Sequence, residues 1–66
     1  MLHEVKTYSS GKMMYWERYD TAQKAYKAYT EIVENLTRNL PKGRSTIVTR
    51  WSDGDLMNET TVSGIK

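Results

Sequence analysis

At 66 residues with no cysteine and a single histidine, the chain is expected to be one small domain over residues 1–66, without disulfides and without the ligands of the usual structural zinc site. Its ten basic and eight acidic residues are interspersed, so no extended field of one sign is expected to attract polyanions. No apolar run of about 18 residues and no secretory signal is evident, so we expect a soluble, cytoplasmic protein without a membrane segment.

The first predicted element is a β-hairpin. Leu2 to Tyr8 is rich in strand-forming side chains, and Ser9-Ser10-Gly11-Lys12 is a polar cluster of the kind that closes hairpins. Met13 to Tyr19 resumes as a second strand, because its aromatic residues suit a pleated surface.

An amphipathic helix is predicted next. Asp20 is expected to be its N-cap, with Gln23 completing a capping box. Apolar residues then recur at helical spacing until Pro41 and Gly43 end the run; they are Ala22, Ala25, Tyr26, Tyr29, Ile32, Val33, Leu36 and Leu40. The opposite face is charged and is expected to contact solvent.

A second hairpin is predicted after the helix. Ser45 to Trp51 and Leu56 to Ser63 are strand-like and are separated by Ser52-Asp53-Gly54-Asp55, in which Asp-Gly is a strong hairpin signal. Ile65 and Lys66 are expected to fray. The predicted fold class is therefore α+β, with the order ββαββ, an antiparallel sheet of two hairpins and one helix packed on one face.

Side-chain alternation predicts what each face of the sheet carries if Ser10-Gly11 and Asp53-Gly54 are two-residue loops. The apolar side is expected beneath the helix, with a core of Val5, Met14, Trp16, Ile47, Trp51, Leu56 and Val62. The other side is left uncovered, and it pairs Tyr8 with Met13, Lys6 with Tyr15, Glu4 with Glu17, Arg50 with Met57 and Val48 with Glu59.

The uncovered side is the predicted binding surface. Tyrosine and methionine are costly to expose as a patch and suit protein interfaces. The predicted partner-binding residues are Lys6, Tyr8, Met13, Tyr15, Glu17, Arg50, Met57 and Glu59. A homodimer is also expected, since a core this small needs reinforcement and association is the remaining route. An ordinary alternative is that isolated apolar residues on a sheet have no role.

Binding of single-stranded nucleic acid or DNA is the alternative function. Aromatic side chains on a sheet can stack on bases while cations hold phosphates. The residues that would do so are Lys6, Tyr15, Arg38, Lys42, Arg44 and Arg50. The acidic residues on the same side oppose this function, because phosphate contacts normally dominate such binding.

The stretch Tyr15-Trp16-Glu17-Arg18-Tyr19-Asp20-Thr21-Ala22-Gln23-Lys24-Ala25 resembles small phage and prophage accessory proteins, in which an aromatic strand leads into a helix through a similar phrase. It is also similar to the strand-to-helix junction of phage integrase arm-binding domains, although three strands precede the helix there and two are predicted here. The resemblance implies a small host-modulating protein that occupies another macromolecule's surface.

The sequence thus favours a non-catalytic protein-binding module, with a phage-type inhibitor or modulator of a host protein as its specific form. No nucleophile arrangement, cofactor motif or metal-ligand set is recognisable, so an enzyme, a cofactor and a metal are not expected.

Overall fold

A computed structural model describes residues 2–64 and has the α+β architecture predicted from the sequence. The elements in chain order are β1 (His3–Ser9), β2 (Lys12–Tyr19), α1 (Ala22–Asn39), β3 (Ser45–Ser52) and β4 (Asp55–Ser63). The four strands form one antiparallel sheet in the order β2-β1-β3-β4, so β1 and β3 join the two hairpins at its centre. The expectation for Ile65 and Lys66 lies outside the described residues.

Both hairpins have the predicted two-residue turns. Ser10 and Gly11 have φ angles of 53° and 78°, and Asp53 and Gly54 have φ angles of 50° and 86°. Positive φ at both central positions is what a type I′ turn requires. The backbone N–H of Asp53 also donates to the carbonyl of Leu2 at 2.7 Å, which ties the second turn to the start of the chain.

The helix begins one residue later than predicted. Thr21, not Asp20, is the N-cap, and its hydroxyl accepts a hydrogen bond from the backbone N–H of Lys24 at 3.2 Å. Asp20 instead pairs through its carboxylate with the Lys24 ammonium at 3.1 Å. At the other end the backbone N–H of Leu40 donates to the Leu36 carbonyl, after which the chain leaves the helix as predicted from Pro41.

Each hairpin contains one β-bulge that the sequence analysis did not anticipate. In the first hairpin Tyr8 lies opposite Met13, but Thr7 lies opposite Tyr15, so Met14 is an extra residue. In the second, Trp51 lies opposite Leu56, but Arg50 lies opposite Asn58, so Met57 is extra. An extra residue exchanges the faces of all positions beyond it on that strand.

The core beneath the helix consequently differs from the predicted one. Val5 and Val62 are buried as predicted, and the fully buried residues on this side are Val5, Val48 and Ala25. Met14 and Trp16 are instead 67% and 47% exposed, because Met14 is the extra residue of the first bulge and Trp16 lies beyond it, on the opposite side of the sheet.

The predicted face of β3 was also wrong. Val48 packs against the helix, while Ile47 and Trp51 lie on the other side with Leu56, which pairs with Trp51. The physical reason is fit: Ala25 has no side chain beyond Cβ, so the helix approaches the sheet closely there and leaves room for valine rather than tryptophan. Val62 was nevertheless placed on the correct side of the sheet. The wrong face of β3 and the missed second bulge each exchange its predicted side, so the two errors cancel.

Polar contacts complete the helix side of the sheet. The Tyr29 hydroxyl hydrogen-bonds that of Thr60, and Arg50 lies over the Tyr26 ring at 5.6 Å from its centroid while its Nε donates to the Asn58 side-chain oxygen at 2.8 Å. Between residues 2 and 64 there is no helix with the length and apolar character to cross a membrane.

Candidate functional site

The side of the sheet that faces away from α1 has no covering element among the described residues, and we call it the open face. Strand register assigns it the following side chains: Glu4, Lys6, Tyr8, Met13, Trp16, Arg18, Ile47, Thr49, Trp51, Leu56, Glu59 and Thr61. Both tryptophans of the protein are in this set.

The centre of the open face is a lysine between two indoles. The Lys6 ammonium lies 5.7 Å from the ring centroid of Trp16 and 5.0 Å from that of Trp51. The Arg18 guanidinium lies 4.9 Å from the same Trp16 ring. These distances are within the range of cation–π attraction, so the cations hold the indoles in place across three strands.

Hydrogen bonds fix the two indoles further. Trp16 Nε1 donates to the Glu4 carboxylate at 2.6 Å, and Trp51 Nε1 donates to the Thr49 hydroxyl at 2.8 Å. Thr49 in turn donates to the backbone carbonyl of Lys6 at 3.1 Å. Glu4 is only 7% exposed and Thr49 is buried, so the acceptors lie on the sheet while much of the Trp16 ring remains open to solvent.

Apolar side chains extend the surface around this cluster. Met13, Ile47 and Leu56 are exposed, and Tyr8 is half-buried beside them. The formal charges on the open face balance, with Lys6 and Arg18 against two carboxylates. The result is an aromatic and aliphatic patch whose formal charges cancel.

The structure divides the sequence-predicted site residues between the two sides of the sheet. Lys6, Tyr8, Met13 and Glu59 lie on the open face, as predicted. Tyr15, Glu17 and Arg50 lie on the helix side instead, Tyr15 and Glu17 because of the first bulge and Arg50 because of the misassigned β3 face.

The remaining predicted residues lie elsewhere. Met57 is the extra residue of the second bulge, Arg38 is in α1, and Lys42 and Arg44 are in the loop before β3. The six residues predicted for nucleic-acid binding therefore do not share one surface, since Lys6 and Tyr15 point to opposite sides of the sheet.

Sequence reasoning missed the indoles and Arg18 as surface residues, because it treated tryptophan as core. The strand composition of β3 did not distinguish its two faces, because Thr46, Ile47, Val48 and Thr49 are all β-branched.

A concave feature lies on the helix side of the sheet. A groove of about 490 Å³, which we call the helix groove, runs between the C-terminal half of α1 and the first hairpin. Ile32, Leu36 and Leu40 line one wall, and Met14 and Tyr15 line the other. No set of three or more histidine and carboxylate side chains within residues 2–64 is arranged to hold a metal ion.

No protein-family model matches this chain, and no significant match was found among curated proteins or solved structures. The chemistry of the open face and of the helix groove is therefore the basis for inferring its function.

Proposed function

We propose that the protein is a non-catalytic module that binds another protein through its open face, with Trp16 and Trp51 as the anchors. The supporting observation is the pair of indoles fixed on a rigid sheet by Lys6, Arg18 and Glu4 while a ring surface stays exposed. Tryptophan and arginine are the residues that most often dominate the binding energy of protein interfaces.

Preorganisation supports the same proposal. Ordering a long side chain on binding costs about 0.5–1.5 kcal/mol. Trp16 and Trp51 already have their N–H groups bonded within the sheet, so less of this cost remains when a partner arrives. The exposed aliphatic residues Ile47 and Leu56 lie beside them, as expected for the apolar centre of a contact.

Single-stranded nucleic acid is the second candidate, and a specific observation favours it. Two cations, Lys6 and Arg18, lie against exposed indole surface, which is the chemistry of a base-stacking platform. The balanced charge of the face weighs against it, because Glu4 and Glu59 oppose phosphate. We therefore rank protein binding first.

The proposal also includes the oligomeric state, the location and the biological role of the protein. A homodimer, a cytoplasmic location and a role as a phage-type inhibitor or modulator of a host protein remain part of it. The homodimer is supported by the small core and the uncovered face. The phage-type role is supported by the resemblance of the Tyr15-to-Ala25 junction alone, and the cytoplasmic location by the sequence composition alone.

Capture with matched variants tests the protein-binding proposal. The wild-type protein, Leu56→Asp, Trp16→Ala and Tyr26→Ala are immobilised and exposed to host extract, and any captured protein is then purified and titrated calorimetrically. Leu56 and Tyr26 are both exposed apolar residues, but Tyr26 is on the helix. We expect Leu56→Asp and Trp16→Ala to lose about 2 kcal/mol or more of binding energy, whereas Tyr26→Ala retains it.

Titration with oligothymidylate distinguishes nucleic-acid binding from protein binding. Quenching of tryptophan fluorescence by the oligonucleotide, with an affinity that falls steeply as salt increases, would favour nucleic-acid binding. Retention of a protein partner at high salt, together with no response to the oligonucleotide, would favour protein binding.

A further inference from the structure

The helix groove has the composition of a site for an apolar chain. The first half of α1 lies close to the sheet through Ala25 and Tyr29, which are buried. In its second half Ile32 and Leu36 are only partly buried and border open space of about 490 Å³. This volume is within the range of about 300–1,000 Å³ that small-molecule sites occupy.

The opposite wall comes from the first bulge. Met14 is the extra residue there, and its side chain is largely exposed along the groove next to Tyr15. A flexible thioether adapts its shape to different apolar ligands. The groove is therefore bordered by aliphatic and aromatic groups on both sides, which suits a linear hydrocarbon and not a sugar or a nucleotide.

Arg44 gives the groove its charge. Among the described residues that line the groove, Arg44 is the only charged one. Both backbone polar groups of Arg44 are hydrogen-bonded: its N–H donates to the Pro41 carbonyl at 3.1 Å, and its carbonyl accepts from the Gly64 N–H at 2.8 Å. A guanidinium presents a planar fork of donors that matches a carboxylate.

We propose that the helix groove binds a free fatty acid, with the hydrocarbon chain between α1 and Met14 and the carboxylate at Arg44. Charge complementarity selects this occupant: the groove offers apolar walls and one cation, and a fatty acid offers an apolar chain and one anion. The site is separate from the open face, so its occupancy does not depend on the partner proposed above.

Isothermal titration with monomeric dodecanoate tests the proposal directly. We expect saturable binding of one molecule per groove, with affinity falling roughly tenfold for each pair of methylenes removed in decanoate and octanoate. Dodecanol has the same chain without the carboxylate, and we expect it to bind about tenfold more weakly than dodecanoate. Dodecanoate should likewise bind Arg44→Gln about tenfold more weakly than it binds the wild-type protein.

Matched variants test whether dodecanoate binds in the groove and not elsewhere on the protein. Lys42→Gln removes the same charge from the same loop but does not line the groove, and it should leave affinity unchanged. Met14→Asp should abolish binding, whereas Met57→Asp, at the equivalent bulge outside the groove, should not. Both methionines are exposed, so the fold should tolerate both changes, which circular dichroism checks.

Three outcomes would overturn the proposal. One is no saturable binding of dodecanoate by folded wild-type protein. Another is equal weakening by Arg44→Gln and Lys42→Gln, which would indicate nonspecific attraction. The last is sedimentation with anionic phospholipid vesicles in the absence of any binding to monomeric dodecanoate, which would make the groove a membrane contact.

Discussion

Alanine substitution at two adjacent positions of β3 tests which face of the sheet the helix covers. Val48 is fully buried against the helix, while Ile47 is 38% exposed on the open face. Val48→Ala removes two methyl groups at about 0.8 kcal/mol each, or about 1.6 kcal/mol, and the cavity left in a closed core raises the cost to about 2–3 kcal/mol. Ile47→Ala should cost about 1 kcal/mol, because no enclosed cavity forms.

Thermal and urea unfolding followed by circular dichroism measures the difference. For a domain of this size each kcal/mol shifts the melting temperature by about 4–8 °C, so Val48→Ala should lower it by about 10–20 °C. Ile47→Ala should lower it by less than half as much. A loss at Ile47 equal to or greater than that at Val48 would refute the assigned face, and with it the position of the tryptophans.

Two further substitutions test contacts at the ends of the sheet. Gly64→Ala should destabilise the fold by about 1–3 kcal/mol, because an added Cβ would lie 1.9 Å from the Pro41 carbonyl oxygen. Ser63 is its exposed neighbour, so Ser63→Ala serves as the control in urea unfolding. Equal stability of the two variants would contradict the close approach. Burial, followed by the hydrogen bond between the Tyr19 and Tyr15 hydroxyls, raises the pKa of the Tyr19 phenol well above its ordinary value of 10.0. Stability from this group is therefore complete below about pH 10 and is lost as pH rises further, because the unfolded chain then releases a proton that the folded chain keeps. Urea midpoints should fall more steeply above about pH 10 in the wild type than in Tyr19→Phe, and parallel pH dependences would contradict this origin of the shift.

The elements and turns were predictable because their causes are local. The helix follows from apolar spacing and a polar N-terminal cap, and both hairpin turns follow from a residue before glycine that tolerates positive φ. Several strand ends and the N-cap moved by one residue. At the N-cap the reason is that Asp20 and Thr21 are both good caps, and the Asp20 carboxylate bonds the Lys24 side chain instead.

The faces of the sheet were not predictable, because they depend on tertiary packing. A bulge is one residue long and has no strong sequence signature, yet it exchanges the sides of every later residue on its strand. On β3 the choice between Ile47 and Val48 depends on how closely α1 approaches, which is determined by Ala25. The hydrophobicity of the strand alone favours the wrong side.

The candidate site was only partly predictable for the same reason. An uncovered sheet face follows from having one helix for four strands, and Lys6, Tyr8, Met13 and Glu59 were assigned to it correctly. Trp16 and Trp51 were assigned to the core, because their size suggests burial. Their exposure depends on partners across strands, such as Glu4 and Lys6, that pattern analysis cannot pair.

Quenching of tryptophan fluorescence tests the central claim, which is that the face opposite the helix is uncovered and carries both indoles. The measurement is made with acrylamide at a concentration where sedimentation shows a monomer, and Trp16→Phe and Trp51→Phe separate the two signals. Trp16 is 47% exposed and Trp51 is half-buried on the open face, so we predict efficient quenching of Trp16, weaker quenching of Trp51 and red-shifted emission from Trp16. Both indoles protected from acrylamide in the folded monomer would contradict the account.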